Sequence, residues 1–324
     1  MSDVKQIVLL TGANGFIGRH LAPALLREGW EVRGTVRKPA KMDHEIVLKS
    51  IGAGTDWGPA LAGVGAVIHL AARVHHKHDE HAARLYRDVN IEGTLNLARS
   101  AAKAGVRHFI FLSTVLVHGR SNDGRAPFNE EDDLTPVGLY GMSKAAAERG
   151  LRMLARDSAM RISIIRPPLV YGFGAKGNFA LLARAVNLGL PLPFAAIRNQ
   201  RAFLAVQNLS SFILRRLANP DPTSNFEIFL VADGQQISTP EFIERLGTAS
   251  GKSPRLFRAH PDLLSWLFKA LGRQDTHDSL LGSLKLNISK AIATGWKPQV
   301  SIEEGLALAL SSRKVGGAHS HYHW

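Results

Sequence analysis

A tyrosine and a lysine stand four positions apart in the segment YGMSK, residues 140–144. On a helix this spacing places Tyr140 and Lys144 one turn apart on the same face. An ammonium group near a phenol lowers the phenol pKa from its usual value of about 10. Tyr140 could then exchange a proton with a substrate hydroxyl or carbonyl. Because Tyr-x-x-x-Lys is common by chance, its meaning depends on the elements around it.

Two hydroxyl residues, Ser113 and Thr114, follow the apolar run HFIFL, residues 108–112. The run is short enough to be a buried strand. The next two residues, Val115 and Leu116, cannot transfer protons. The strand end therefore offers hydroxyls that can hydrogen-bond a reacting oxygen, and it offers no acid or base.

The segment TGANGFIG, residues 11–18, places Gly12, Gly15 and Gly18 between a strand-like run (7–12) and an amphipathic helical pattern (16–29). Glycines in a first βα turn allow the backbone to approach a pyrophosphate on the helix N-terminus. The sequence therefore predicts a dinucleotide site. The positive charge of an oxidised nicotinamide would also lower the pKa of Tyr140.

The second strand, 31–36, is followed by TVRKP, where an acidic residue would grip an adenosine ribose hydroxyl. Arg37, helped by Lys38, can instead pair with a 2′-phosphate. The alternative is a surface arginine that stacks on adenine with either cofactor. The sequence favours NADP(H), with NAD(H) possible.

Strand-like and helical patterns alternate through the first half of the chain. Further strands are expected at 65–72, 108–113 and 161–172, with helices at 89–105 and 143–157. Such alternation predicts an α/β fold with a doubly wound parallel sheet, of the Rossmann type. After about residue 170 the pattern loosens, and helices are expected at 177–194 and 239–251.

We therefore expect residues 1–166 to form the dinucleotide-binding domain and 167–314 a smaller mixed substrate lobe, of which about 200–234 packs back on the first domain. The tail 315–324 is expected to be disordered.

Composition and charge argue against several further classes of protein. The 324 residues contain no cysteine and carry a formal net charge of +13. No apolar run reaches the length of a membrane span, and no signal peptide is evident, so a cytoplasmic protein without stable membrane insertion is expected. No long basic run supports nucleic-acid binding. The histidines of HHKHDEH, 75–81, are expected to form a loop rather than a metal site.

The chain resembles the extended short-chain dehydrogenase/reductase family, in its nucleotide-sugar branch. The resemblance covers nearly all of residues 5–310 and rests on TGANGFIG, HLAA (69–72), NIEGT (90–94), STVLVHG (113–119), YGMSK and RPPLVYG (166–172). It implies that Thr114, Tyr140 and Lys144 are catalytic. It also implies a cofactor site formed by Gly12, Asn14, Gly15, Phe16, Ile17, Gly18, Arg37, Lys38, Leu70, Ala71, Ala72, Asn90, Ser113, Tyr140, Lys144 and Pro167.

One contrast within the family and two departures from its pattern matter. Nucleotide-sugar 4,6-dehydratases carry an acidic pair where this chain has Val115 and Leu116, which argues against dehydration. The acidic residue usually found near the adenine corresponds to Ala53, with Asp56 nearby. The tyrosine of the usual VYG turn is replaced by His118.

The resemblance extends to the substrate side. Arg201, in QRAFLAVQNL, matches an arginine that pairs with the nucleotide diphosphate, and Asn178, in KGNF, matches an asparagine that contacts UDP. The second arginine of the family has no clear match, with Arg273 and Lys285 as candidates. Together with Thr114, these residues form the expected substrate site.

The strings LLGSLKLN (280–287) and GWKP (295–298) are similar to bacterial enzymes that act on UDP-N-acetylhexosamines for surface polysaccharides. We therefore expect an NAD(P)H-dependent 4-reductase of a UDP-linked 4-keto-6-deoxy-N-acetylhexosamine. A UDP-hexose or UDP-N-acetylhexosamine 4-epimerase with tightly held NAD(P) is the alternative. A non-catalytic dinucleotide-binding protein would not need the intact Thr114, Tyr140 and Lys144. The family suggests a homodimer through the helices near 89–105 and 143–157.

Overall fold

The computed structural model describes residues 6–40, 43–74, 81–220, 223–260, 264 and 280–311. Within these ranges, seven parallel strands form a central sheet in the order β10-β6-β5-β4-β1-β2-β3. The strands are β1 Ile7–Thr11, β2 Glu31–Val36, β3 Glu45–Val47, β4 Val64–His69, β5 His108–Leu112, β6 Arg161–Arg166 and β10 Phe226–Leu230. The order 3-2-1-4-5-6 is that of a dinucleotide-binding Rossmann sheet, so the predicted fold class is confirmed.

Both faces of the sheet are covered, which explains why its strands read as apolar runs. Helices α1 (Phe16–Arg27) and α7 (Val206–Ala218) pack on one face, with Val8 and Leu10 of β1 in that core. Helices α4 (Thr94–Lys103) and α5 (Gly138–Arg156) pack on the other, against Leu9. Short helices α2 (Gly58–Leu61) and α3 (Ala82–Tyr86) complete this half of the described chain.

Several element boundaries differ from the sequence-based expectation. The strand expected at 65–72 ends at His69. The strand expected at 161–172 is divided by two prolines into β6 and β7, Leu169–Tyr171. The helix expected at 89–105 begins as a π-helical segment, Arg87–Gly93, before α4. The helix expected at 143–157 starts earlier, so α5 includes Tyr140.

The second half of the chain is mixed. Strand β7 pairs with β9, Arg201–Ala205, which pairs with β11, Gln236–Ile237; β8, Pro191–Leu192, pairs with β12, Arg255–Leu256. Helices α6 (Asn178–Asn187), α8 (Thr239–Ala249) and α10 (Ile302–Leu310) surround a separate core that contains Tyr171 and Phe242. A further short helix, α9, spans Ser289–Ala293.

Residues 201–230 connect the two halves. Strand β9 belongs to the smaller sheet, whereas α7 packs against α1 and β10 is the edge strand beside β6. The expected domain division at 166/167 stays a prediction. The tail expected to be disordered, 315–324, lies outside the described residues, as do Arg273 and most of the histidine segment 75–81. Among the described residues, no helix combines the length and apolar character that crossing a bilayer requires.

Candidate active site at the carboxyl edge of the sheet

One cavity of about 2940 Å³ lies where the strands of the large sheet end. Its walls include residues that follow β1, β4, β5 and β6, which is where ligands bind in open α/β sheets. Most of the predicted site residues line it: Gly12, Asn14, Gly15, Phe16, Ile17, Gly18, Arg37, Leu70, Ala71, Ala72, Ser113, Thr114, Tyr140, Lys144, Pro167, Asn178 and Arg201. Lys38 and Asn90 do not.

The glycine turn at the end of β1 has no room for side chains. Gly12 has φ of +70°, and an added Cβ would lie 3.1 Å from the Ala71 nitrogen. A Cβ on Gly18 would lie 2.4 Å from the Gly12 carbonyl oxygen. This close packing brings backbone N–H groups at the start of α1 to the cavity. The turn therefore fits the pyrophosphate of a dinucleotide.

A buried histidine is hydrogen-bonded to the residue that precedes this turn. His69 Nδ1 lies 2.7 Å from Thr11 Oγ1, and His69 Nε2 lies 3.0 Å from Thr94 Oγ1. Burial, followed by the charge of Lys144, lowers the pKa of His69 to about 3, so the ring is neutral. Thr11 Oγ1 also accepts a hydrogen bond from the Ala71 nitrogen. The residues after β1 and β4 are thus held together, a role the sequence did not reveal.

At the end of β2, Arg37 lines the cavity but Lys38 does not. The Leu48 nitrogen donates to the Val36 carbonyl oxygen over 2.8 Å, which brings Lys49 and Ser50, after β3, to the same edge. Both of these residues line the cavity and were missed because β3 is only three residues long. Lys49 therefore lines this edge of the cavity together with Arg37, whereas Lys38 does not.

Neither residue suggested for the adenine side reaches the cavity. The Asp56 Oδ1 atom accepts a hydrogen bond from the Gly58 nitrogen at the start of α2. Ala53 and Asp56 do not line the cavity, whereas Ile51 does.

Asn90 lies on the π-helical segment and is 1% exposed. Its Oδ1 accepts from the Arg73 nitrogen over 2.8 Å, and its Nδ2 donates to the Arg73 carbonyl oxygen and to Ser143 Oγ, each over 3.0 Å. Ser143 Oγ in turn donates to the Tyr140 carbonyl oxygen. Asn90 therefore joins the chain after β4 to α5 through Ser143. It does not itself line the cavity, and its predicted contact with the dinucleotide stays a prediction.

Tyr140 and Lys144 lie on one face of α5, against the end of β5. Lys144 Nζ donates to the Leu112 carbonyl oxygen over 2.7 Å and lies 4.2 Å from the centre of the Phe111 ring. Its distance to the centre of the Tyr140 ring is 5.9 Å. Thr114, 8% exposed, lines the same cavity and caps the 3₁₀ turn Val115–Val117 by accepting from the Leu116 nitrogen.

The pKa values in this group are shifted mainly by burial. Burial lowers the pKa of Lys144 to about 7, and the nearby Glu148 carboxylate opposes this shift. Burial, with a smaller contribution from Tyr86, raises the pKa of the Tyr140 phenol above its usual value. This direction is opposite to the one we expected from Lys144. Burial is the largest cause of this shift.

Behind Thr114 lies a buried set of polar side chains. Ser113 Oγ donates to Glu148 Oε1, and Arg166 Nη2 lies 2.6 Å from Glu148 Oε2. Arg166 Nη1 lies 2.9 Å from His118 Nε2, and the His118 ring stacks on Phe128. The histidine that replaces the usual tyrosine is thus part of this set and does not line the cavity.

The far end of the cavity is lined by Asn178, at the start of α6, and by Arg201, at the start of β9. Arg201 Nη1 donates to the Gly282 carbonyl oxygen. Arg120 and Lys176 also line the cavity and were not singled out from the sequence. Lys285, a candidate for a second arginine equivalent, does not line the cavity, and its Nζ donates to the Arg125 carbonyl oxygen.

The described residues contain no group of three or more histidine, cysteine, aspartate or glutamate residues that could hold a metal ion. The histidine segment is not tested by this observation, because residues 75–80 lie outside the described ranges.

Comparison with known proteins agrees with this geometry. The model of the NAD dependent epimerase/dehydratase family matches residues 8–232. A UDP-glucose 4-epimerase from Vibrio cholerae is 40% identical over 310 residues, which are 93% of this chain and 94% of that protein.

Two solved structures show the same fold. The UDP-glucose 4-epimerase of Thermus thermophilus in complex with NAD has a TM-score of 0.74 and 25% identity, and the match covers 94% of this chain and 97% of that one. RMD from Pseudomonas aeruginosa, complexed with NADPH, has a TM-score of 0.70 and 24% identity, with 94% and 98% covered. The chain therefore belongs to the NAD dependent epimerase/dehydratase family of enzymes.

Proposed function

We propose that this enzyme transfers hydride at C4 of a UDP-linked sugar, with NAD(P) as its cofactor. The observation that carries the proposal is the position of Thr114, Tyr140 and Lys144 on one cavity that extends from the glycine turn to Asn178 and Arg201. A dinucleotide fits the glycine turn at one end, and the guanidinium group at the other suits a diphosphate.

The roles of the side chains follow from their chemistry. The Thr114 hydroxyl is a hydrogen-bond partner for the oxygen on C4, and the Tyr140 phenol gives a proton to that oxygen or takes one from it. Lys144, as an ammonium group, stabilises the phenolate and holds the nicotinamide ribose. A bound dinucleotide supplies or accepts the hydride. The two residues after Thr114, Val115 and Leu116, cannot transfer protons, so the proposed reaction includes no elimination of water.

The first candidate reaction is 4-epimerisation of a UDP-hexose or UDP-N-acetylhexosamine. It is favoured by the 40% identity to a UDP-glucose 4-epimerase over nearly the full length of both chains. In this reaction, C4 is oxidised and then reduced from the other face, so no cofactor is consumed overall.

The second candidate is 4-reduction of a UDP-linked 4-keto-6-deoxy-N-acetylhexosamine, in the synthesis of a surface-polysaccharide precursor. It is favoured by Arg37 and Lys49, two cations on the cavity at the ends of neighbouring strands. Such cations suit the 2′-phosphate of NADPH, the usual cellular reductant. Here the hydride goes to C4, the proton goes to its oxygen, and one NADPH is oxidised per turnover.

Two assay arms distinguish the candidates. In the first, the enzyme is mixed with NADPH and the UDP-linked 4-keto sugar, and absorbance at the nicotinamide band is followed. In the second, UDP-glucose and UDP-N-acetylglucosamine are supplied without added cofactor, and the C4 epimers are separated chromatographically. Stoichiometric loss of NADPH supports the reductase, and epimer formation supports the epimerase.

Tyr140→Phe is the control for both arms. Loss of a general acid or base typically lowers the rate by about 10²- to 10⁴-fold, so the variant should lose activity in whichever arm the wild type is active. Wild-type inactivity in both arms would exclude these substrates.

The assembly and location of the enzyme stay predictions. On α5, Met142 and Met153 are exposed by 56% and 66%, which is consistent with the expected homodimer through α4 and α5. Sedimentation of the purified protein tests this expectation directly. We also propose a cytoplasmic location, where nucleotide sugars and reduced cofactor are supplied.

A further inference from the structure

A buried network of Ser113, Glu148, Arg166 and His118, here named the Glu148 network, has no part in the chemistry proposed above. Glu148 and Arg166 are at its centre, and both side chains are only 3% exposed. The Arg166 guanidinium reaches both carboxylate oxygens of Glu148, with Nε at 3.2 Å from each. The remaining interactions of the carboxylate and the guanidinium go to Ser113 and His118.

The Glu148 network joins three elements that carry the reacting groups. Ser113 is the neighbour of Thr114 at the end of β5, and Arg166 ends β6. Glu148 lies on α5, four residues beyond Lys144 and eight beyond Tyr140, so the three side chains share one helix face. The carboxylate therefore connects the turn that carries Thr114 to the helix that carries Tyr140.

The backbone around Thr114 is held on both sides. The Ser113 nitrogen donates to the Ile165 carbonyl oxygen over 2.7 Å, and the Val115 nitrogen donates to the Pro167 carbonyl oxygen over 2.9 Å. These bonds fix Thr114 relative to β6 but not relative to α5. The hydrogen bond from Ser113 to Glu148 joins the start of this turn to α5. It adds to two hydrogen bonds on either side of the turn, from Lys144 Nζ to the Leu112 carbonyl oxygen and from the Val137 nitrogen to the Leu116 carbonyl oxygen.

We propose that Glu148, held by Arg166, is a positioning residue that sets the spacing between the Thr114 hydroxyl and the Tyr140 phenol. The catalytic part of this proposal rests on the proposed function, because that function names the oxygen which both groups contact. The structural part does not depend on it. The same carboxylate also favours the ammonium form of Lys144 against the effect of burial.

The molecule contains matched controls for this network. Arg216 and Glu227 form a second ion pair, with side chains 3% and 13% exposed, between α7 and β10. Ser163, on β6, is 1% exposed, and its Oγ lies 2.9 Å from His108 Nε2. None of these residues lines the cavity.

The test compares Ser113→Ala and Glu148→Gln with the controls Ser163→Ala and Glu227→Gln. For each variant we would measure kcat and KM with the UDP-sugar that the wild type converts, the Kd of the dinucleotide, the Tm, and amide hydrogen exchange. We expect Ser113→Ala to lower kcat about tenfold and Glu148→Gln about a hundredfold, because small misplacements of reacting groups have effects of this size. KM should change less than about threefold in both variants, and so should the dinucleotide Kd of Glu148→Gln, because Glu148 does not line the cavity.

The controls should lower Tm but keep kcat within about twofold of the wild type, since they remove the same chemical groups elsewhere in the sheet. Hydrogen exchange should rise in residues 113–118 and 138–144 for the network variants only. If Glu148→Gln does not fold, Ser113→Ala decides the question, because it leaves the ion pair intact.

Equal losses of kcat in Ser113→Ala and Ser163→Ala would overturn the proposal. So would unchanged exchange of both segments in Ser113→Ala. If the wild type converts no UDP-sugar, the proposed function fails, and hydrogen exchange still decides whether Glu148 couples the two segments.

Discussion

The two ends of the cavity are built in different ways. At the end assigned to the dinucleotide, a single stretch of chain supplies Gly12, Gly15 and Gly18, and what matters is how closely the backbone packs. At the end proposed for the UDP-sugar, Asn178 and Arg201 come from separate elements, and in our proposal they contact the ligand through their side chains. A site made from backbone is sensitive to added atoms, whereas a site made from side chains is sensitive to removed ones.

Gly18→Ala should have the largest effect on the dinucleotide end. The new Cβ would lie 2.4 Å from the Gly12 carbonyl oxygen and 2.5 Å from that of Ala13, so the turn must shift. Overpacking of this kind costs about 1–3 kcal/mol, and we expect dinucleotide Kd to rise about tenfold to a hundredfold. Calorimetric titration with the dinucleotide and with UDP measures the Kd of the ligand proposed for each end.

Gly54→Ala is the matched control for this change, because no atom lies within 4 Å of its Cβ position. Its dinucleotide Kd should equal that of the wild type. A Gly18→Ala variant that binds the dinucleotide normally would show that this end of the cavity does not depend on close backbone packing.

Arg201→Met should give the corresponding effect at the other end. A hydrogen bond to a charged group contributes about 1.5–3 kcal/mol, so UDP should bind about tenfold to a hundredfold more weakly. Dinucleotide Kd should not change. Arg198→Met, an exposed arginine that does not line the cavity, serves as the control and should bind UDP normally. If Arg201→Met weakened the binding of UDP and of the dinucleotide equally, the two ends would not bind their ligands independently.

Arg37→Ser tests a side chain that we assign to cofactor choice at the dinucleotide end, where the glycine turn contributes backbone. We expect NADP(H) affinity to fall about tenfold, the size of one charge-assisted contact, while NAD(H) affinity stays the same. Fluorescence titration with NADH and NADPH measures both. Lys38→Ser, whose side chain does not line the cavity, should leave both affinities unchanged. An equal loss for the two cofactors would mean that Arg37 contacts the adenine instead.

The last prediction concerns stability rather than binding and rests on Lys144, which lies between the two ends. Its pKa is lowered from 10.5 to about 7 in the folded protein, chiefly by burial. Between about pH 7 and 10.5 the unfolded chain therefore holds a proton that the folded chain has lost, so this group makes folding more favourable as pH rises. The cost of burying the charged form is fully present below pH 7.

In Lys144→Met this dependence is removed. The Tm of the variant relative to that of the wild type should be highest near pH 6. This difference in Tm should fall by a few degrees as pH rises toward 10. Thermal denaturation from pH 6 to 10 measures the difference in Tm. A constant difference across this range would show that the pKa of Lys144 is not lowered by folding.

Local patterns identified the parts of the site that depend on local structure. The glycine turn, the Tyr140–Lys144 pair and the hydroxyls after β5 could be located because each depends on a strand end or on helical spacing. Asn90 and Asp56 could not be assigned from the sequence, since their partners, Arg73 and Gly58, become evident only when the turns around them are formed. The same holds for Lys49, which reaches the cavity through the pairing of β2 with β3.

The sequence by itself determined the fold class, the position of the glycine turn after β1 and the candidates for proton exchange, because periodicity and short-range geometry encode them. Tertiary structure alone decided the environment of those residues. Burial, which depends on all the elements that pack around a group, sets the pKa of Tyr140 and Lys144 in directions that their spacing does not show. The pairing of β5 with β6 and the packing of α5 on these strands placed Glu148 and Arg166 behind Thr114. Glu148 and Arg166 are 18 residues apart along the chain.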